Sequence, residues 1–146
     1  MRTVTVYILL CIFLGIFLVP AAAHAPGLND TVWRTDLRIF NPCATEVDVT
    51  IEYLPENTNN SGGIIHGLFF PLESHGTQIY GDIVDAIPGI EGDNNKGSLR
   101  FTFDGGLGCN PLIVSRTYND TPEGTFGQFV PAVPVLPLNQ ERVFLT

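Results

Sequence analysis

The stretch Val32-Trp33-Arg34-Thr35-Asp36-Leu37-Arg38-Ile39-Phe40 alternates between two kinds of side chain. Its odd-numbered positions are mainly apolar, and its even-numbered positions are mainly charged. A second stretch, Glu46–Tyr53, repeats the alternation, with Val, Val, Ile and Tyr at odd positions and acids or threonine between them. A period of two places alternate side chains on opposite faces of a strand. Both stretches are therefore predicted to be half-buried β-strands.

The link between these two strands, Asn41–Thr45, has the composition of a turn. We expect the strands to pair as a hairpin centred on Cys43. One register then satisfies the apolar face and the charged face together, as cross-strand pairing favours. Its pairs are Ile39 with Val47, Leu37 with Val49, Trp33 with Tyr53, Arg38 with Asp48, and Arg34 with Glu52.

The rest of the chain continues as short strands separated by turns rich in glycine, proline and asparagine. Asp82 is predicted to cap a single helical turn over Ile83–Ile87. About seven strands with little helix predict an all-β fold, namely an antiparallel β-sandwich. The remaining predicted strands are Ile64–Leu72, Thr77–Tyr80, Ser98–Asp104, Leu112–Asn119 and Gly124–Val130.

The N-terminus has the pattern of a secretory signal peptide. The apolar run Val4–Val19 ends at Pro20, and small residues follow as Ala-Ala-Ala-His-Ala. Cleavage is expected after Ala23, and the alternatives are cleavage after Ala25 or an uncleaved anchor over Val4–Ala23. The predicted domains are a signal peptide (1–23), a β-sandwich domain (27–133), and a proline-rich linker with the truncated start of a second module (134–146).

Two cysteines, Cys43 and Cys109, remain after the predicted signal peptide. In an exported chain such a pair is more often a disulfide than a metal site, and the sequence has no CxxC motif beside either residue. We therefore expect a disulfide and no metal or other cofactor. The protein is predicted to be secreted, periplasmic or held at the cell surface.

The charge balance narrows the range of partners. The chain carries 7 basic and 15 acidic residues, for a net charge of −8. A protein that binds nucleic acid by its phosphates needs a basic patch, which this balance disfavours. We expect a surface protein or glycan as partner, with no nucleic acid, no membrane contact after signal cleavage, and adjacent copies of the same module as further partners.

Three motifs resemble those of a β-sandwich module of Ig-like type found in exported bacterial proteins, where it occurs alone, in tandem or beside other secreted domains. The motifs are the stretch Gly27–Leu37 with Asn41-Pro42 after it, then Ser115-Arg116-Thr117-Tyr118, then Gly124–Ala132. The resemblance covers about residues 27–133. It implies an extracytoplasmic accessory module and supplies no catalytic residues.

The residue types that commonly act in catalysis or metal binding occur in this sequence without a recognisable spacing. His24, His66 and His75 lack nearby metal ligands in sequence, and no serine stands in a Gly-x-Ser-x-Gly motif. The oxygen-rich loop of Glu91, Asp93, Asn94 and Asn95 fits no EF-hand spacing, so a solvated loop is favoured over a calcium site.

Asp36 and Arg116 are mid-strand charges in two of the motifs, and we expect them to form a structural ion pair rather than a ligand site.

Our first hypothesis for the function is a non-catalytic spacer, scaffold or adhesion unit. The alternative is a carbohydrate- or protein-binding domain with an exposed aromatic sheet face, and its candidate residues are Phe69, Phe70, Tyr80 and Tyr118. An enzyme is a third hypothesis, which requires a cleft with convergent polar groups.

Overall fold

A computed structural model describes residues 15–64 and 66–135 of the chain, without the side chain of Leu107. In these residues the chain forms nine strands, one short helix and two 3₁₀ turns. The strands are β1 (Gly15–Pro26), β2 (Val32–Phe40), β3 (Val47–Pro55), β4 (Gly67–Leu72), β5 (Thr77–Tyr80), β6 (Asn95–Gly105), β7 (Leu112–Thr121), β8 (Gly124–Pro131) and β9 (Val133–Pro134). The helix α1 is Ile83–Ala86, and the 3₁₀ turns are Asn60–Gly62 and Gly106–Gly108.

The strands form one continuous, antiparallel, hydrogen-bonded sheet in the order β4-β3-β6-β1-β2-β7-β8, with β5 also paired to β2 and β9 to β1. We call β4, β3 and β6 the β3 half, and β5, β2, β7 and β8 the β2 half. β1 joins them, because it pairs with β6 along most of its length and with β2 through Ala25 and Pro26. The all-β class is confirmed, whereas the Ig-like sandwich remains a prediction.

The buried face of each half contributes to one hydrophobic core. Leu37 and Ile39 from β2 and Val49 and Ile51 from β3 have no exposed surface and belong to the same cluster, together with Phe101 from β6. The four residues from β2 and β3 are odd-numbered positions of the two alternating stretches. The period of two therefore identified most of the buried face of both strands, with two exceptions: Trp33 is 38% exposed, and the even-numbered Glu52 is 3% exposed.

The hairpin prediction is wrong, because β2 and β3 are not neighbours. β2 pairs with β1, β5 and β7, and β3 pairs with β4 and β6. Alternation shows which face of a strand is buried, but it does not show which strand lies beside it. Both strands bury their apolar face, and they do so from different halves of the sheet. The expected charge pairs are replaced by Asp36–Arg116 and Glu52–Arg100.

Asn41 explains locally why the chain leaves β2 without forming a hairpin. The side chain is completely buried, and its Nδ2 lies 2.9 Å from the carbonyl oxygens of Thr45 and Leu72. Its Oδ1 accepts a hydrogen bond of 2.9 Å from the backbone N–H of Cys43. Because a buried amide is costly unless it is hydrogen-bonded, these contacts fix the path from β2 to β3.

The predicted disulfide and helix cap both form. Cys43 and Cys109 are bonded with a Cα–Cα distance of 5.7 Å, which ties the β2–β3 link to the β6–β7 link. Asp82 is the N-cap of α1, and its side chain accepts a hydrogen bond from the backbone N–H of Asp85. The first two helical residues, Ile83 and Val84, are buried in the core.

The N-terminal part of the described chain is a strand. β1 contains Gly15–Ala23, which the sequence assigns to the signal peptide, whereas residues 1–14 lie outside the described range. Of the predicted linker, Pro134 belongs to β9, and residues 136–146 lie outside the described range. In the part of the chain that the structure describes, no helix is long and apolar enough to cross a membrane.

Candidate binding surfaces

The four aromatic residues proposed from the sequence do not share one surface. Phe70 and Tyr80 face the core, where their half-buried rings lie 6.3 Å apart between centroids. Burial raises the pKa of the Tyr80 hydroxyl above its ordinary value, opposed by a hydrogen bond with Gln78 that lowers it. Phe69 is 69% exposed on the opposite side of β4, and Tyr118 lies on the outer face of β7. The structure therefore brings together only Phe70 and Tyr80.

The Asp36–Arg116 pair forms directly across β2 and β7. Both Nε and one terminal nitrogen of Arg116 lie 3.2 Å from the same carboxylate oxygen of Asp36. The guanidinium carbon of Arg116 also lies 4.4 Å from the centre of the Tyr118 ring, which is a cation–π distance. The pair is on the outer face and largely solvated, since the two side chains are 27% and 46% exposed.

The outer face of the β2 half, directed away from the core, carries a group of exposed apolar side chains that the sequence reasoning missed. Register places them in three neighbouring rows across β5, β2, β7 and β8. The run Leu112-Ile113-Val114 was the available sequence signal, because three consecutive apolar residues put apolar side chains on both faces of a strand. We call this group the apolar face, and its members are Phe40, Ile79, Leu112, Val114 and Phe129.

A cleft of about 410 Å³ lies on the other side of the β2 half, beside β1. Trp33 and Phe126 line it at 38% and 63% exposure, together with Thr117, Gln128 and Ala21. A larger cleft of about 610 Å³ shares Ala21 and Thr117 with it. Aromatic rings beside a few hydroxyl and amide groups are the usual lining of a small-molecule site. We call the smaller site the Trp33 cleft.

A polar cluster also surrounds His24, which was not expected to have partners. Its Nδ1 lies 2.7 Å from Asp82 Oδ2, and Arg34 Nε lies 4.0 Å from the same oxygen. His24 and Arg34 line a cleft of about 450 Å³. A carboxylate that orients a histidine is one part of a nucleophilic site, but a nucleophile must also lie within reach.

The serine hydroxyls with hydrogen bonds point elsewhere. Ser74, Ser98 and Ser115 donate to the carbonyl oxygens of Cys43, Pro20 and Val130 respectively. In the oxygen-rich loop, Asn95 Nδ2 donates to the carbonyl oxygen of Gly92 at 2.6 Å, so this amide closes the loop on itself. Within residues 15–64 and 66–135, no group of three or more His, Cys, Asp or Glu residues is arranged to hold a metal ion.

Comparison with known proteins finds no matching family model, no similar curated protein and no similar solved structure.

Proposed function

We propose that this protein is a non-catalytic, exported β-sandwich module that acts as a scaffold or adhesion unit in the manner of the bacterial Ig-like modules its motifs resemble. The observation that carries the proposal is the apolar face. Five large side chains are exposed in adjacent rows of a regular sheet. Exposed apolar side chains grouped on one face favour a protein interaction site, whereas isolated ones do not. The exposed Arg38 lies between Ile79 and Val114 in the middle row, so the face presents a charged group among the apolar ones.

The partner that fits this face best is another copy of the same module. The outer face of the β2 half carries Arg34, Arg38 and Arg116, and it also carries Asp36 and Asp120 as ion-pair partners of Arg116 and Arg34. Among the described residues Arg38 forms no ion pair, so it is the basic group that this face offers to a second copy. On the outer face of the β3 half, Asp48 and Asp104 lie directly opposite each other. Like charges opposed across strands are unfavourable, and an arginine from a second copy would relieve them. Contact between unlike faces joins copies head to tail.

Sedimentation velocity of the purified protein tests this function. We expect association that strengthens with concentration and weakens with salt, since exposed charges contribute. Val114→Glu should abolish the association. Ile64→Glu is the matched control, because Ile64 is also β-branched and exposed (58%, against 50% for Val114) but lies outside the apolar face. A protein that stays monomeric at all concentrations, or two variants that behave alike, would contradict the proposal.

Charge exchange tests which faces meet. Arg38→Asp and Asp104→Arg should each weaken self-association, because each leaves like charges across the contact. An equimolar mixture of the two variants should associate again, since the altered β2-half face of one copy complements the altered β3-half face of the other. If the mixture associates no better than either variant alone, the copies do not meet through these faces.

A second candidate function is glycan binding, and the Trp33 cleft favours it. Trp33 and Phe126 contribute aromatic rings to the lining, and Thr117 and Gln128 contribute hydrogen-bonding groups. Trp33 is the single tryptophan of the chain, so tryptophan fluorescence reports on this cleft alone.

Titration with a panel of neutral oligosaccharides should shift that fluorescence if the cleft binds them. Phe126→Ala should weaken such binding about tenfold or more, as expected when a central aromatic contact is lost. Phe69→Ala, which removes an exposed ring on the β3 half, should leave the binding unchanged. No spectral change with any oligosaccharide would eliminate this candidate.

A further inference from the structure

Most of β1 belongs to the predicted signal peptide, so cleavage of that peptide would remove most of this strand. Eight of its residues pair with β6, in two runs separated by a bulge between Val19 and Ala22. Cleavage after Ala23 would leave only His24, Ala25 and Pro26 of β1. The edge of β6 that β1 occupies would then lose its partner strand.

The core-facing side chains of β1 are packed as parts of the fold. Val19 is completely buried and Ala22 is 3% exposed, and both belong to the main hydrophobic cluster with Leu99 and Phe101 of β6. Removing them would uncover apolar surface at the centre of the core, which costs free energy in proportion to the area exposed.

The bulge in β1 has dedicated hydrogen-bonding partners from both halves of the sheet. Ser98 of β6 donates to the carbonyl oxygen of Pro20 at 3.0 Å, and Thr117 of β7 donates to that of Ala21 at 3.3 Å. Thr35 of β2 accepts from the backbone N–H of Ala23 at 2.8 Å. A bulge leaves backbone groups without ladder partners, and the hydroxyls of Ser98 and Thr117 supply partners for the bulged residues Pro20 and Ala21. Thr35 holds Ala23, which lies just beyond the bulge.

Packing also explains the small residues that resemble a cleavage site. Ala22 and Ala25 lie on the buried side, with at most 3% exposure, where a larger side chain would overpack the core. Thr35 is itself completely buried beside Ala23. Packing therefore accounts for the alanines at positions 22 and 25, whereas Ala21 is exposed and is not constrained by the core.

We propose that Gly15–Pro26 is retained in the folded, exported protein as its joining strand, and that the bond after Ala23 is not cleaved. The proposal also conflicts with a membrane anchor over Val4–Ala23, because Gly15–Ala23 cannot lie in a bilayer and in this sheet at the same time.

The first test is the N-terminus of the protein itself. The full chain is expressed in an exporting bacterial host, and the purified folded protein is examined by intact mass and N-terminal sequencing. We expect a mass that includes all of Gly15–Ala23. An N-terminus at His24, or at any other position inside β1, would overturn the proposal.

The second test is a pair of adjacent substitutions in the same full chain. Ala22→Glu places a charge in the core, whereas Ala21→Glu places it on the exposed bulge. We expect Ala22→Glu to lower the Tm of the exported protein by about 5 °C or more and Ala21→Glu to change it little. Ala22→Ser serves the same comparison if Ala22→Glu does not fold. Equal Tm values for both positions would mean that the segment is absent from the folded protein.

Discussion

The two halves of the sheet are joined near opposite ends of β2, and the two junctions use different chemistry. At the end of β2, a disulfide and the buried Asn41 amide hold the crossing chain. At the start of β2, the bulge of β1 and the neighbouring Ala23 are held by the hydroxyls of Ser98, Thr117 and Thr35. We call these the disulfide end and the bulge end.

The comparison shows why only the disulfide was predictable from the sequence. Two cysteines outside a predicted signal peptide favour a disulfide, whereas Asn41-Pro42 after a strand indicates a turn, and the hairpin expected from that turn does not form. Threonine and serine within strands are common on either face, so a hydroxyl that serves a bulge looks like any other. The disulfide end should contribute more stability than the bulge end, because a disulfide and a fully buried amide are each worth more than a single hydroxyl hydrogen bond.

The largest effect is expected from removing the disulfide. Cys43→Ala with Cys109→Ala frees a loop with a sequence separation of 66 residues, which chain-entropy reasoning equates with about 4 kcal/mol of unfolding free energy. Denaturant unfolding measures the loss, with Cys11→Ala in both proteins so that no other thiol exchanges. A loss below about 1 kcal/mol would show that the disulfide end does not dominate.

The next effect is expected at Asn41, within the same junction. Asn41→Ala leaves the N–H of Cys43 and the carbonyl of Leu72 without their buried partner, and each unpaired group costs about 1–3 kcal/mol. We expect a total loss of about 2–4 kcal/mol by denaturant unfolding. The exposed Asn94→Ala is the matched control. Equal losses at the two positions would show that the Asn41 hydrogen bonds do not determine the path of the chain from β2 to β3.

The strands and their buried positions could be predicted in part from the sequence. Thr77–Tyr80 was predicted with its observed bounds, and Leu37, Ile39, Val49 and Ile51 were correctly assigned to the core. The pairing of β2 with β3 was wrong, because alternation fixes the buried face and leaves the neighbouring strand open. Pairing here depends on Asn41, whose partners are as far as 32 residues away in sequence.

The candidate surfaces were less predictable than the core. Outward-facing positions experience no packing constraint, so the sequence alone does not separate an exposed Phe69 from a half-buried Phe70. The apolar face depends on register between four strands, and the Trp33 cleft depends on the bulge in β1. Both arise from tertiary pairing rather than from local pattern.

A smaller effect is expected at the bulge end. Thr35→Val keeps the shape of the side chain but removes the acceptor for the Ala23 N–H, at a cost of about 1–2 kcal/mol. Thr50→Val on the outer face of β3 is the control, because this residue is partly exposed. Denaturant unfolding compares the two variants. If Thr35→Val costs as much as the disulfide, the two ends contribute equally and the comparison fails.

The smallest effect is expected from Arg116→Ala, which lies at neither end. The Asp36–Arg116 pair joins two strands of the same half and is largely solvated, so we expect a loss of about 0.5 kcal/mol and not more than about 1. A double-mutant cycle with Asp36→Asn, measured by denaturant unfolding at low and high salt, isolates the pair from the contact of Arg116 with Tyr118. A coupling energy above about 2 kcal/mol would mean that this solvated pair stabilises the fold about as much as the two junctions do.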